Sequence, residues 1–270
     1  MNNKIYAFWW SCQKLEGKPF ENFGDILAAY IANKLSGKEV IWADPRQQPW
    51  YSLKHINLIT GSIIKYATPK SNVWGVGILS VKDSIRSKRI YAVRGPETIK
   101  RLHQLGLSVN PPVGDPALLL PRIYTPKAVK KYRLGIIPHY TDVSTFIKRY
   151  QNQSDILVVD MRKEIEEVIE DIASCETTWS SSLHGLIVSH AYGIPSIRFE
   201  THTRISGDGI KYADYFGSVG IEYYEPFQLE ALEAKAQDQQ FGHKIRKQAV
   251  IQTNLDQLSD NLVNTCPFLS

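Results

Sequence analysis

The chain has 270 residues, is 43% hydrophobic and carries a net charge of +5, so it holds enough apolar side chains for one or two substantial cores. No apolar run approaches the roughly 20 residues that a membrane-spanning helix needs, which excludes that class. Cys12, Cys175 and Cys266 are an odd set without metal-ligand spacing, pointing to reduced thiols in a cytoplasmic protein rather than a disulfide framework or a zinc site.

Charge is unevenly spread. Residues 1–130 hold 19 Lys and Arg against 8 Asp and Glu, a balance of +11; residues 131–270 hold 13 against 19, a balance of −6. A basic N-terminal half suits an anionic partner such as a phosphorylated lipid or a membrane surface; the alternative is ordinary solvated lysine. Basic runs interleaved with aromatics and known nucleic-acid motifs are absent, so no nucleic-acid partner is expected. The opening MNNKIYAFWW is strand-like and quickly polar again, unlike a signal peptide.

In chain order, Lys4–Trp10 reads as a first strand, heavy in β-branched and aromatic residues. A polar loop with Gly17 and Pro19 follows. Then Glu21–Asn22–Phe23–Gly24–Asp25 opens a helix with Leu27, Ile31 and Leu35 on one face and Gly37 at its end. A Gly-Asp pair opening a helix after the first strand is where a wound α/β sheet keeps a ligand loop, although Asp25 also suits a helix cap. The Gly-x-Gly-x-x-Gly spacing of a dinucleotide site is missing. Short buried strands are expected over 40–42, 56–60, 73–76 and 90–93. Arg94 stands between the last of these and a helix that begins with Pro96 and runs over 97–105, a place suited to an anion-binding guanidinium or a structural ion pair. Gly114–Asp115–Pro116–Ala117 ends this half. Pro121, Pro126 and the basic stretch 127–133 read as a linker.

The alternation then repeats. A strand over 132–138 ends in His139, and Asp142 caps a helix to Tyr150; 156–160 is a strand and 164–172 an amphipathic helix. A strand over 177–179 leads into Ser180–Ser181–Ser182–Leu183–His184–Gly185 and a short apolar helix closed by Gly193 and Pro195. Ser181 or Ser182 is a good N-cap, and His184 then lies in the first turn beside free N–H groups, a place that binds anions. The plainer reading is a capped core helix with an incidental histidine. A strand over 196–199 follows, then a loop with His202, Arg204, Gly207, Gly209 and Lys211 that either closes over an anion or is ordinary surface loop. The rest is helical and mixed in charge. Strands alternating with helices in two halves predict an α/β chain of two wound domains, with ligand loops at the C-terminal ends of the strands.

Several motifs together resemble the polysaccharide pyruvyl transferase family. They are Asn22–Asp25, Val93–Arg94–Gly95, Gly114–Ala117, Ile137–Pro138–His139, and Ser181–Gly185 followed by Gly193–Ile194–Pro195, in the family's order. The short length is most similar to the bacterial ketal pyruvate transferases of exopolysaccharide assembly. The resemblance implies two Rossmann-like domains facing a central cleft, similar to GT-B glycosyltransferases. It places an acceptor domain over 1–124, a donor domain over 131–225, and helices packing across both over 226–270. The activity implied is transfer of a pyruvyl group from phosphoenolpyruvate to two hydroxyls of a sugar, as a cyclic ketal. Some members carry arginine just before the Leu-His pair, to hold the donor; this chain has Ser182 there.

In that chemistry a dianionic donor needs two anion sites, and Arg94 and Arg204 are the candidates to clamp it. His184 is the principal acid/base group, His139 a second, and Asp25 orients or deprotonates an acceptor hydroxyl. Ser181, Ser182, Asn22, Gly24 and Lys211 are further substrate-binding candidates. No metal or other cofactor is expected, since the arginines neutralise the donor. The acceptor implied is a saccharide, lipid-linked, with the basic half turned to the anionic inner face of the membrane and the protein in the cytoplasm. Two rival readings are a nucleotide-sugar glycosyltransferase on the same architecture and a non-catalytic carbohydrate-binding relative.

Overall fold

The computed structural model describes residues 3–201, 208–235 and 247–269. The chain is α/β, built on two five-stranded sheets in which every pair of neighbours is parallel. The first sheet has the order β2-β1-β3-β4-β5, from β1 (Lys4–Phe8), β2 (Glu39–Trp42), β3 (Asn57–Leu58), β4 (Asn72–Trp74) and β5 (Arg89–Ala92). The second has the order β10-β9-β8-β6-β7, from β6 (Tyr132–Ile137), β7 (Ile156–Val158), β8 (Cys175–Ser180), β9 (Ser196–Glu200) and β10 (Phe227–Gln228). Parallel neighbours need crossover connections, and these hold the helices.

The helices start and stop where local chemistry allows. In α2 (Phe23–Ser36) Asn22 is the N-cap residue and Gly37 closes the helix at φ +67°. Asp25 therefore does not cap this helix; it sits inside the first turn, where the Asn22 amide donates to its Oδ2 at 2.7 Å. The expected loop after β1 contains a short helix, α1 (Cys12–Glu16), with the Ser11 hydroxyl accepting from the Lys14 N–H. A five-residue helix is too short to show a hydrophobic period. α3 (Pro96–Gln104) begins at Pro96, as expected. Pro121 is not linker: it lies in the first turn of α4 (Leu120–Ile123), where its missing N–H has no helical partner to lose.

In the second half, α5 (Val143–Tyr150) starts at Asp142, but that carboxylate makes no capping bond and accepts from the Thr141 hydroxyl instead. α6 (Ile165–Ala173) turns Ile165, Val168, Ile169 and Ile172 inward. Between Ser182 and Ser196 lies α7 (Leu183–Ala191). Lys211, read as part of a loop, lies in the first turn of α8 (Ile210–Ser218); Tyr212, Tyr215 and Phe216 are buried on that helix. Among the described residues the helices beyond 226 include α9 (Leu229–Lys235) and α10 (Leu255–Asn264). Among the described residues no helix is long and apolar enough to cross a membrane.

The largest apolar core runs through both halves, from Ile5, Phe23 and Leu27 to Leu186, Tyr215 and Leu262. Burial on this scale is the main stabilising term. α10 lies over the first sheet: the Trp74 indole donates to the Leu262 carbonyl at 2.9 Å, and Phe268 meets Trp74 edge-on. A buried ion pair joins the halves as well. Arg94, at the end of β5, donates from Nε to Asp214 of α8 at 3.0 Å, and both side chains are fully buried. Gly95 makes this approach possible, since a Cβ there would lie 1.7 Å from the Asp214 carbonyl oxygen.

Candidate active site

Loops at the C-terminal ends of strands from both sheets line one cavity of about 370 Å³. Trp10 follows β1, Gly61 and Ser62 follow β3, His139 and Tyr140 follow β6, and Ser181 and Ser182 follow β8. This is the end at which ligands sit in wound parallel sheets.

Ser182 is the N-cap of α7; its hydroxyl accepts from the Gly185 N–H at 3.5 Å. Ser181 has a different task. Its hydroxyl accepts from the His139 backbone N–H at 2.9 Å, and its carbonyl accepts from the Tyr212 hydroxyl at 2.8 Å. It thereby ties β6, β8 and α8 together under the cavity.

His184 is 8% exposed and lines the cavity from the first turn of α7. Its Nε2 is buried with no hydrogen-bond partner and faces Asp115 Oδ2, likewise orphaned, at 3.9 Å. Burial, with Arg94 and Lys211 nearby, pushes the imidazole down to about 3. Burial pushes the Asp115 carboxyl up to about 6, against the Ala117 N–H and Arg94, which hold it down. The imidazole is therefore neutral near pH 7, beside a carboxyl that gives up its proton less readily than an exposed aspartate. His190, on the same helix, shows what a core histidine looks like: Nδ1 pairs with the Tyr215 hydroxyl and Nε2 with the Ser196 carbonyl, each at 2.9 Å. Gly24 leaves room for the His184 ring, since a Cβ there would lie 2.1 Å from Nδ1.

Asn22 and Asp25 line the same cavity from α2. Burial pushes the Asp25 carboxyl up to about 7, opposed by the hydrogen bond from Asn22. His139 lines it too, with Nδ1 2.8 Å from the Thr141 hydroxyl; burial and then Lys211 lower its pKa. Lys211 completes the set, and burial followed by Arg94 and Arg198 pushes its ammonium down to about 8. Among the described residues Lys211 forms no ion pair.

Arg94 is not a cavity-lining residue. Besides Asp214, its guanidinium donates to the Ser62 hydroxyl and the Ile78 carbonyl, both at 2.7 Å, so it acts on the site through its field. Arg204 lies outside the described residues, as do His202 and Gly207. Among the described residues no group of three or more His, Cys, Asp or Glu side chains is placed to hold a metal ion.

The sequence model of the polysaccharide pyruvyl transferase family matches residues 22–203. The chain belongs to the polysaccharide pyruvyl transferase family. This member is 30% identical over 212 residues to the uncharacterized protein L143 of Acanthamoeba polyphaga mimivirus, covering 74% of this chain and 72% of that one. It is 25% identical over 154 residues to the succinoglycan biosynthesis protein ExoV of Rhizobium meliloti (strain 1021), covering 56% of this chain and 46% of that protein. Membership supports a pyruvyltransferase role in polysaccharide biosynthesis.

In this pyruvyl transferase family member, Asn22, Asp25, His139 and His184 lie within the matched segment, whereas Trp10, Glu16 and Lys211 of the same cavity lie outside it. Sequence reasoning missed two groups. Asp115 was visible only as part of a Gly-Asp-Pro turn; its carboxyl meets His184 only after the two halves pack. Arg198 projects from β9, its guanidinium carbon 3.7 Å from the centre of the Tyr212 ring, with Nη1 buried and unpartnered. The one available signal was a charged residue inside the apolar run Ile194–Phe199.

Proposed function

We propose that this chain transfers the pyruvyl group of phosphoenolpyruvate to two hydroxyls of a sugar in an exopolysaccharide or lipid-linked oligosaccharide. A cyclic ketal forms and inorganic phosphate leaves. The observation that carries the reading is the orphaned His184–Asp115 pair at the leading turn of α7, with Lys211, which forms no ion pair among the described residues, lining the same cavity as His184.

The donor carries a phosphate and a carboxylate. Lys211 lines the cavity and is the candidate to receive them together with the N-terminus of α7; Arg198, outside the cavity lining and 3.7 Å from the centre of the Tyr212 ring that Lys211 also approaches at 5.3 Å, supports it. Arg94 adds positive field from below. The Arg198 charge makes the half-buried Lys211 ammonium costlier until an anion arrives, as an anion site requires. The same anion favours protonation of His184, reversing the effect of burial, and Asp115 becomes the counter-ion on the Nε2 side. Nδ1, which packs beside Gly24, is then the nitrogen that acts on the substrate.

In the reaction, His184 gives a proton to the enol methylene carbon of the donor. The neighbouring carbon, now cationic, is attacked by the first sugar hydroxyl, whose proton passes to Asp25 or His139. The carbon–oxygen bond to phosphate breaks, and phosphate departs with the electron pair. The second hydroxyl adds to the same carbon and loses its proton, closing the ring. One donor and two hydroxyls give one ketal and one phosphate. Of the two hydroxyl protons, one replaces that given by His184 and the other leaves with phosphate.

In this reading the two sheets are Rossmann-like halves in a GT-B-type arrangement, with the acceptor on residues 1–124, the donor on 131–225, and 226–270 packing across both. The basic first half turns toward an anionic membrane surface, consistent with a lipid-linked acceptor. Purified protein incubated with phosphoenolpyruvate and a panel of saccharide acceptors should release phosphate and form a pyruvylated sugar. Heat stabilisation by a nucleotide sugar but not by phosphoenolpyruvate overturns the reading in favour of glycosyl transfer.

A further inference from the structure

The two walls of the cavity differ in chemistry. His139, His184 and Lys211 stand on the side of the second sheet. On the side of the first sheet no lining residue is cationic; that wall presents Trp10, Tyr66, Glu16, Asn22 and Asp25. Trp10 and Tyr66 are stacked, with centroids 5.5 Å apart and planes 26° apart.

The stack is held rigid from behind. The Trp10 indole N–H donates to Glu16 Oε1 at 2.6 Å, and Glu16 pairs with Lys18 at 2.5 Å. Lys18 donates in turn to the Tyr140 hydroxyl at 3.1 Å, across to the second half. Phe8 meets Tyr66 edge-on at 5.7 Å, and the Arg46 guanidinium, fixed by Asp44, lies 4.7 Å from the Tyr66 centre. Both rings remain only half-buried and reach the cavity.

We propose that Trp10, backed by Tyr66, offers the stacking face for a pyranose ring, with Glu16 and Asp25 accepting from its hydroxyls. A pyranose has an apolar C–H face and a polar hydroxyl rim. An aromatic face carries negative charge and attracts polarised C–H groups, and carboxylates at its edge accept from hydroxyls. A dianion is attracted to the opposite wall, so the two substrates sort themselves by charge. Calling the bound ring an acceptor rests on the pyruvyl-transfer reading above; the saccharide site itself does not.

The test uses the full chain and saturation-transfer NMR with the methyl glycosides of glucose, galactose, mannose and N-acetylglucosamine, without donor. Saturation of the aromatic protons should reach the ring C–H groups of at least one glycoside. Trp10→Leu and Tyr66→Leu should each weaken that binding about tenfold, Trp10→Phe by no more than about threefold, with the thermal midpoint of Trp10→Phe unchanged. No transfer to any glycoside in the wild type, or binding by both leucine variants equal to wild type, overturns the platform. Glycoside binding without phosphate release from phosphoenolpyruvate leaves the platform standing and overturns pyruvyl transfer alone. Turnover of phosphoenolpyruvate with an unchanged acceptor KM in both leucine variants does the reverse.

Discussion

His184 Nε2 and Asp115 Oδ2 face one another across 3.9 Å, each buried and neither with a hydrogen-bond partner. An orphaned buried polar atom costs about 1–3 kcal/mol, and two that face each other single this pair out for test. His184→Gln should lower phosphate release from phosphoenolpyruvate roughly 10²–10⁴-fold while circular dichroism and thermal midpoint stay near wild type. Full turnover in that variant counts against the assignment. Asp115→Asn should lower kcat and leave donor-induced heat stabilisation in place, since it acts through His184.

Gly24 belongs to the same arrangement. Gly24→Ala would bring a Cβ to 2.1 Å from His184 Nδ1, so the imidazole must move. Overpacking of this kind costs about 1–3 kcal/mol. Activity should fall far more than stability does, as read by turnover beside urea unfolding.

Asp25 predicts a pH dependence. Its folded pKa of about 7 stands above the 3.8 of an exposed aspartate. Below 3.8 both states hold the proton and burial of the carboxyl is free of charge cost. As pH rises from 4 to 7 the unfolded chain ionises first, and this group's stabilising share is lost. Asp25→Asn should therefore match wild type near pH 3.5, gain on it up to pH 7 and level off above. Each recovered kcal/mol is roughly 2–4 °C in the thermal midpoint for a chain of this size. Catalysis should weaken in the same variant.

Lys211 loses its charge near pH 8, earlier than an exposed lysine. Donor binding should weaken as pH rises through that value, and Lys211→Met should raise the KM for phosphoenolpyruvate and flatten its pH profile. Arg198→Lys should also raise that KM, because an ammonium lacks the planar fork. An unchanged donor KM in both variants removes these residues from the donor site.

Arg94 and Asp214 should report on folding first. Arg94→Met strands a buried carboxylate and should cost about 3–5 kcal/mol by urea unfolding. Adding Asp214→Asn should recover part of that loss. Stability unchanged by Arg94→Met, with a raised donor KM, would instead make Arg94 a direct donor ligand.

The sequence by itself determined the alternation of strand and helix, both strand-to-helix turns that carry Asp25 and His184, and the family. These are local: β-branched runs, a serine cap ahead of α7, Gly37 and Gly193 at helix ends, and ordered short motifs are read within a few residues. It misjudged Lys211, placed in a loop, because Gly207 and Gly209 masked the start of α8.

Only the tertiary structure decided which chemistry-bearing side chains meet. Arg94 and Asp214 are 120 residues apart, and Asp115 and His184 are 69 apart; no local pattern joins them. Packing of one half on the other turned Arg94 from a free guanidinium into a buried strut and drew Asp115 to the imidazole. It also set Trp10 and Tyr66 opposite the wall that carries Lys211. Burial then fixed the charges, since a carboxyl or imidazole shifts its pKa by its surroundings in space and not by its neighbours in the chain.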